Sequence, residues 1–187
     1  MSLKDRIKNI FFVRLRVWKY SFLSECKNVI GKPIAKQPLL LNGKGKIIFD
    51  SNCKFGYKAS PMFYSSYCYI EARNTDSEIV FGKNNYFNNN CSIEANTSIE
   101  FGNDVLVGVN CSFLDNDGHH LAIDKRKNGI PNAAPIRIRN NVFIGDNVTV
   151  LKGVTIGDNT VIGNGSIVTK SIPSNSVAVG NPAKVIR

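Results

Sequence analysis

Near the C-terminal end of the chain, apolar residues recur at intervals of six. The series is Ile138, Ile144, Val150, Ile156, Ile162 and Val168. A second series of small or β-branched residues stands four positions after its first five members, at Val142, Val148, Val154, Thr160 and Ser166. A parallel β-helix of hexapeptide repeats has this period, because each repeat supplies one short strand and one corner. Three apolar members are followed directly by Gly145, Gly157 and Gly163, and we expect these glycines to adopt backbone angles that other residues avoid.

The same period returns upstream in broken form. It runs through Phe81, Phe87 and Ile93, then through Phe101, Val107 and Phe113, and more weakly through Phe49, Phe55 and Pro61. We therefore predict a mainly β fold in which the β-helix covers residues 45–181 and residues 182–187 form a tail. The pattern is absent between Phe113 and Ile138, so residues 114–137 are expected to form one long loop. Long loops on a rigid scaffold often carry function.

Half of the excess positive charge lies in the first 20 residues. The chain has a net charge of +10, and this segment contributes Lys4, Arg6, Lys8, Arg14, Arg16 and Lys19 among apolar residues. Residues 1–30 are predicted to form a basic amphipathic helical segment, with Ser2 and Asp5 as its capping box. Such a helix can lie on an anionic membrane or pack against protein, and both interpretations stay open. The segment is too charged for a signal peptide or a membrane span, and no motif indicates nucleic-acid binding.

The five cysteines have no paired spacing. Cys53, Cys91 and Cys111 occupy small-residue positions of the repeat, which indicates reduced, buried thiols in a cytoplasmic protein. No Cys-x-x-Cys or Cys/His cluster is present, so no metal site is expected.

His119 and His120, the two histidines of the chain, are adjacent in the predicted loop. An imidazole near neutral pH can accept a proton from a hydroxyl group and return it to a leaving group. Asp115 and Asp117 lie close in sequence, and either carboxylate could orient an imidazole. A solvated polar loop with two incidental histidines is the alternative that the residues alone leave open.

The C-terminal third, IGDNVTVLKGVTIGDNTVIGNGSIVTKSIPSNSVAVGNPAKVIR, and the preceding DNDGHH resemble the hexapeptide-repeat acetyltransferases. The resemblance covers roughly residues 80–187 and is closest to the sugar O-acetyltransferases, such as the maltose, galactoside, nodulation and surface-polysaccharide enzymes. It implies a left-handed β-helix, a homotrimer with active sites between subunits, acetyl-CoA as the donor, and a loop histidine as general base.

The resemblance also implies roles for individual residues. His119 matches the catalytic histidine, and His120 stands beside it where many relatives have proline. Asn88 matches an asparagine that contacts the acceptor or the thioester, with Asn89 as the alternative register. The positions that match coenzyme A contacts are Asp146, Asn164, Thr169, Lys170, Lys184 and Arg187. Relatives often have a small residue at the positions of Asp146 and Asn164.

We therefore expect an O-acetyltransferase that acts on a sugar hydroxyl of a bacterial surface polysaccharide or its precursor, without a metal. The expected location is the cytoplasm or the inner face of the cell membrane. Two alternatives remain open: an N-acetyltransferase of a nucleotide-linked amino sugar, and a non-catalytic β-helix scaffold. Antibiotic acetyltransferases share the tail but carry more loop sequence, and a hexapeptide-repeat carbonic anhydrase needs three histidines around zinc.

Overall fold

The computed structural model describes residues 2–187 and confirms a mainly β fold with parallel sheets and an N-terminal helix. Twenty strands, numbered in chain order, form the three faces of a prism. Face A contains β1 (Asn28–Ile30), β4 (Lys46–Phe49), β7 (Glu78–Phe81), β10 (Ser98–Phe101), β13 (Ile136–Ile138) and β16 (Thr155–Ile156). Face B contains β2 (Ile34–Ala35), β5 (Lys54–Phe55), β8 (Tyr86–Phe87), β11 (Leu106–Val107), β14 (Phe143–Ile144), β17 (Val161–Ile162), β19 (Val177–Val179) and β20 (Lys184–Val185). Face C contains β3 (Leu39–Gly43), β6 (Cys68–Ala72), β9 (Ser92–Ala95), β12 (Ser112–Leu114), β15 (Thr149–Leu151) and β18 (Ile167–Val168).

Each coil of the prism consists of three repeats in its regular, C-terminal part. Ile138 pairs with Ile156 on face A, and Ile144 pairs with Ile162 on face B, both in parallel register. The inward side chains of successive coils therefore form continuous columns. In one column the rings of Phe81 and Phe101 stack with centroids 5.1 Å apart, and both residues are almost fully buried. Burial of these columns is the main favourable term in the stability of the fold.

The corners of the coils stack into three edges. The AB edge, between faces A and B, consists of residues 50–53, 82–85, 102–105, 139–142, 157–160 and 173–176. The BC edge consists of residues 56–67, 88–91, 108–111, 145–148 and 163–166. The CA edge consists of residues 73–77, 96–97, 115–135, 152–154 and 169–171.

Asparagine side chains connect the corners along these edges. At the AB edge the Asn141 amide donates to Asn159 Oδ1 at 2.9 Å, and the Asn159 amide donates to Asn175 Oδ1 at 2.9 Å. All three asparagines have positive φ, near 53–59°. Asparagine tolerates this left-handed conformation better than most residues, so it supplies both the turn and the link to the next coil.

The reason predicted for the three repeat glycines, backbone angles that other residues avoid, is wrong at all three positions. Gly145 does not have positive φ, but a Cβ at this position would lie 2.1 Å from Asn164 Oδ1 in the next coil. Gly157 is similarly close to Ser174. These positions therefore require glycine because neighbouring coils approach closely, while asparagines mostly occupy the left-handed positions two residues later.

Two loops leave the prism. The loop between β12 and β13 leaves at the CA edge and contains a short 3-10 helix, Ile123–Lys125. A second loop, residues 56–67, leaves at the BC edge between β5 and β6. The repeat pattern had placed Pro61 in the core, which is wrong because Pro61 is exposed at the surface of this second loop.

The β-helix begins and ends differently from the sequence prediction. Parallel pairing starts at β1, where Asn28 pairs with Lys46, so the first coil lies before the predicted boundary at residue 45. Residues 182–187 are not a free tail, since β20 pairs in antiparallel fashion with β19. The repeats alone do not show these elements because neither follows the six-residue period.

The N-terminal helix consists of α1 (Leu3–Asn9), a π-helical turn (Ile10–Arg14) and α2 (Leu15–Leu23). It begins with the predicted capping box of Ser2 and Asp5. Arg16 donates to the carbonyl oxygen of Phe63 at 2.9 Å, and the Tyr20 and Tyr67 rings lie 4.6 Å apart. The helix thus docks through one side, on the second loop and on β3. Among the described residues, no helix is long and apolar enough to cross a bilayer.

Replacing Asn159 tests the role of the edge asparagines. Asn159→Ala keeps a side chain at positive φ and removes both links, so we expect it to lower the free energy of unfolding by about 1–2 kcal/mol. Asn159→Gly relieves the backbone strain and should cost clearly less. Denaturant unfolding followed by circular dichroism would measure both variants, and equal losses for alanine and glycine would contradict the assignment.

Candidate active site

Asp115 anchors the start of the long loop. Its side chain is fully buried, and its two carboxylate oxygens accept hydrogen bonds from Asn96 N and Thr97 N, both at 2.7 Å, and from the Thr97 hydroxyl. A buried carboxylate with this many donors fixes the chain around it. Both carboxylate oxygens of Asp115 are therefore hydrogen-bonded to the neighbouring coil, and neither contacts the imidazole of His119 or His120.

Asp117 is held from the opposite side by a lysine that the sequence reading missed. Its Oδ1 lies 2.6 Å from Lys152 Nζ, and both side chains are partly buried. Its Oδ2 is buried and has no hydrogen-bond partner among residues 2–187. Lys152 lies at the CA edge one coil before Lys170, eighteen positions earlier in the sequence, so the repeat register was a usable signal for it.

The two histidines have different surroundings. His119 is exposed, and its imidazole makes no hydrogen bond within the described chain. His120 is half-buried, and its Nδ1 accepts the backbone N–H of Ala122 at 3.1 Å. The ring of His120 is thus fixed to its own loop, whereas both nitrogens of His119 are available to a ligand.

Asn88 lies on the BC edge beside the second loop. Its amide donates to Ser60 Oγ at 3.0 Å. The next residue, Asn89, is fully buried and holds the loop through Tyr57 and Pro61, with the shortest bond, to the Pro61 carbonyl oxygen, at 2.7 Å. Asn89 is therefore an anchor for the loop, which leaves Asn88 as the more accessible of the two amides.

The residues predicted to bind coenzyme A divide between two edges. Asp146 and Asn164 lie on the BC edge, where Asn164 Oδ1 accepts the N–H of Asp146 at 2.9 Å and Asp146 Oδ1 accepts that of Val109 at 2.7 Å. Lys184 begins β20 near this edge. Thr169 and Lys170 are exposed on the CA edge, below the His119 loop.

Arg187 is placed apart from the others, because its carbonyl oxygen accepts the N–H of Val177 on face B. The exposed cations among these residues fit a ligand with phosphate groups. In both Asp146 and Asn164, the Oδ1 atom accepts a backbone N–H from a neighbouring coil, which fixes the side chain at the edge.

The predicted site residues fall into two sets that lie on different edges of one chain. His119, Asp117, Thr169 and Lys170 belong to the CA edge, while Asn88, Asp146 and Asn164 belong to the BC edge. Face C separates these edges. A three-residue strand such as β12 spans about 10 Å.

A charged network on the outside of face C was not foreseen from the sequence. Arg73 lies 2.7 Å from Glu71 Oε2 and 3.3 Å from Glu94 Oε2. The hydrogen bond with Glu71, together with the charges of both glutamates, raises the pKa of Arg73 above its ordinary value. In the sequence these residues look like ordinary polar side chains on strands. Strands that face solvent have the same residue types, so the sequence alone does not indicate a network.

The cysteines are free thiols, and four of them are buried. Hydrogen bonds with the Cys111 and Cys68 thiols, together with burial, raise the pKa of Cys91 well above its ordinary value. The Cys91 thiol is therefore protonated and not a nucleophile at neutral pH. Residues 2–187 contain no group of three or more His, Cys, Asp or Glu side chains placed to hold a metal ion.

Comparison with known proteins identifies the family and the fold. The family described as Bacterial transferase hexapeptide (six repeats) matches residues 135–170. A Saccharomyces cerevisiae protein, provisionally named an acetyltransferase, is 36% identical over 148 residues, which cover 78% of this chain and 71% of that protein. The chain belongs to the hexapeptide-repeat acetyltransferase family.

Two further relatives are named for a sugar substrate. Galactoside O-acetyltransferase of Escherichia coli is 49% identical over 111 residues, covering 59% of this chain and 54% of that enzyme. A solved galactoside acetyltransferase in complex with coenzyme A is 38% identical with a TM-score of 0.57, covering 80% of this chain and 64% of that one. This chain therefore spans about half the length of the first curated relatives that it matches. Its solved neighbours are left-handed β-helices, so the predicted hand of the coil is confirmed.

Removing the buried carboxylate should release the His119 loop. In Asp115→Ala the amides of Asn96 and Thr97 lose their acceptor, so we expect trypsin to cleave at Lys125 to Lys127 at least about tenfold faster. Asp76→Ala, which changes an exposed aspartate on the same edge, is the control. Mass spectrometry would measure the rate of peptide release. If both variants were cleaved at the rate of the unmodified chain, the assignment of Asp115 as the loop anchor would be contradicted.

Proposed function

We propose that the chain is an acetyl-CoA-dependent O-acetyltransferase that modifies a sugar hydroxyl. The observation that carries the proposal is His119, which is exposed and free of internal hydrogen bonds on an anchored loop. A galactoside acetyltransferase with coenzyme A bound shares the fold at 38% identity, which supports both the donor and the class of acceptor.

The chemistry that we propose is direct transfer. His119 removes the proton from the acceptor hydroxyl, whose oxygen attacks the carbonyl carbon of the thioester. The carbon–sulfur bond then breaks, and the thiolate of coenzyme A takes the proton from the imidazolium. Backbone N–H groups in the cleft are assigned to the oxyanion, and Asp117 is assigned to positioning the loop through Lys152.

Donor binding is assigned to the exposed residues around the His119 loop. Thr169 and Lys170 lie on the same edge as the loop, and Lys184 and Arg187 add cations in the C-terminal coils. Their charges suit the phosphates of coenzyme A. The backbone at Asp146 and Asn164 is proposed to follow the pantetheine arm, and Asn88 and His120 are proposed to contact the acceptor.

A homotrimer is proposed to complete the site. The CA edge carries the base and the BC edge carries Asn88, so a cleft between two copies would unite what one copy separates. Face B supplies an apolar surface for association, in which Leu106 and Phe143 pair in register and are about half exposed. Exposed apolar columns of this kind often mark interfaces.

We also propose that the N-terminal helix lies on the inner face of the cell membrane, near glycan precursors of a bacterial surface polysaccharide. No side chain of the helix is fully buried, and Phe11, Trp18 and Phe22 are 60–77% exposed. The adjacent lysines and arginines would favour anionic lipid.

Replacing each histidine separately tests the reaction and the base. With acetyl-CoA and a panel of sugars, His119→Ala should lower kcat about 10²–10⁴-fold, while leaving the Kd for acetyl-CoA unchanged. His120→Ala is the matched control and should lower kcat less than about tenfold. Release of free thiol would measure turnover. Equal losses in the two variants, or hydroxyl-independent release, would contradict the mechanism.

A separate experiment tests the helix. The double variant Phe11→Glu, Trp18→Glu should lower partitioning into vesicles of phosphatidylglycerol and phosphatidylethanolamine at least about tenfold, because it replaces apolar contacts with charge. Ile130→Glu, which changes an even more exposed apolar residue on the His119 loop, is the control. Co-sedimentation that is unchanged in the double variant would exclude the membrane proposal.

A further inference from the structure

A polar groove lies on the CA edge, on the N-terminal side of the His119 loop. Its volume is about 620 Å³, within the usual range for a small-molecule site. The side chains that line it are mostly charged or amide groups. They include Glu25, Asn42, Lys44, Glu71, Arg73 and Asn74.

Glu71, which lines the groove, stands directly beside Glu94 on the next strand. Glu71 and Glu94 are partners in the register of β6 and β9, and both side chains point outward from face C. Like charges directly opposite on neighbouring strands destabilise a sheet. Arg73 offsets this cost by contacting both carboxylates, at 2.7 Å and 3.3 Å. The arrangement presents carboxylate oxygens in a fixed position.

The same column of face C leads to the catalytic loop. In register it runs from Asn42 through Glu71 and Glu94 to Leu114, the residue directly before Asp115. Neighbouring strands lie about 4.8 Å apart, so Glu94 is one strand and Glu71 two strands from the base of the loop. A sugar in the groove would extend toward His119, whereas the cations proposed for coenzyme A lie on the other side of the loop.

The charges of the groove indicate what it would accept. Its lining includes two carboxylates, those of Glu25 and Glu71, and two cations, Lys44 and Arg73, and a third carboxylate, that of Glu94, lies beside the groove and contacts Arg73. The Arg73 guanidinium already contacts Glu71 and Glu94, so it does not present a free pair of N–H donors to an anionic ligand. Asn42 Oδ1 is buried without a hydrogen-bond partner in the described chain. The groove is therefore rich in hydrogen-bond acceptors, which suits the hydroxyl donors of an uncharged sugar.

We propose that this groove is the acceptor subsite and that Glu71 and Glu94 make it select uncharged sugars over acidic ones. The inference rests on the proposed acetyl transfer and names its substrate class. A hexuronic acid or a sialic acid would place a carboxylate against the glutamates, and the repulsion would weaken binding. Arg73 acts as a positioning residue, since it holds the two carboxylates and is not itself a ligand for the sugar.

Matched pairs of sugars test the selectivity. We would compare methyl galactoside with methyl galacturonide, and methyl glucoside with methyl glucuronide, because the members of each pair differ only at the sixth carbon. Binding would be measured by saturation-transfer NMR with acetyl-CoA absent, and turnover by thiol release. The variants are Glu71→Gln, Glu94→Gln and Arg73→Gln, with Glu100→Gln, an exposed glutamate on face A, as the control.

We expect the unmodified chain to favour the neutral member of at least one pair by about tenfold or more. Glu71→Gln and Glu94→Gln should bring that ratio toward one, mainly through KM, and Arg73→Gln should increase it because two unneutralised carboxylates remain. A purely structural network would change stability in all three variants without changing the ratio, and that result would overturn the proposal. Equal binding of both members, preference for the acidic member, or no sugar binding would also overturn it.

Failure of the enzyme proposal is distinguishable from failure of this one. The enzyme proposal fails if thiol release never depends on an acceptor or on His119, whatever the sugar binding shows. The selectivity proposal is decided by the binding ratios, which require no turnover.

Discussion

The parallel register between successive coils is the constraint on which the rest of the structure depends. Each inward side chain must meet the side chain one coil away, as Ile138 meets Ile156, and a shift of one residue would turn the apolar series outward. The edges follow the same register, because the side-chain amide of an asparagine at positive φ in one corner donates a hydrogen bond to the asparagine in the next corner. A chain under this constraint can leave the prism only at its corners, which is where both loops and the residues proposed for catalysis lie.

The six-residue period was enough to predict the fold because burial of one side chain per repeat is a local, periodic requirement. Ile144 and Val150 could be assigned to the core from spacing alone, and both are fully buried. The first coil could not be found in this way. Its residues around Val29 follow a different spacing, and only pairing with β4 shows that they belong to the prism.

The candidate site was predictable in part. His119 could be singled out by residue type and by the loop that interrupts the repeats, but the roles of its neighbours could not. Asp115 and Asp117 look alike in sequence, yet one is fully buried against Thr97 and the other is paired with Lys152. Such roles depend on which residue of a neighbouring coil each side chain contacts. Residues in an irregular loop do not follow the six-residue period, so sequence spacing does not predict those contacts.

The division of the proposed site between two edges is the central consequence of the prism. Face C keeps the His119 loop apart from Asn88 in one copy, so the shared site that we propose takes its BC edge from a neighbouring copy. The anchors of the two loops, Asp115 and Asn89, then explain how short loop segments on different copies can meet with a defined geometry. The polar groove beside Glu94 would open into the same cleft.

The most direct test of this account is complementation between two inactive chains. His119→Ala and Asn88→Ala would be co-expressed with different affinity tags, and hybrid oligomers would be isolated by sequential purification. If each site takes its base from one copy and its amide from the next, each hybrid trimer contains one complete site out of three, so the isolated hybrids should recover roughly a third of the unmodified activity, although neither variant is active alone. Hybrids that contain both chains and remain as inactive as the separate variants would contradict a site shared between copies.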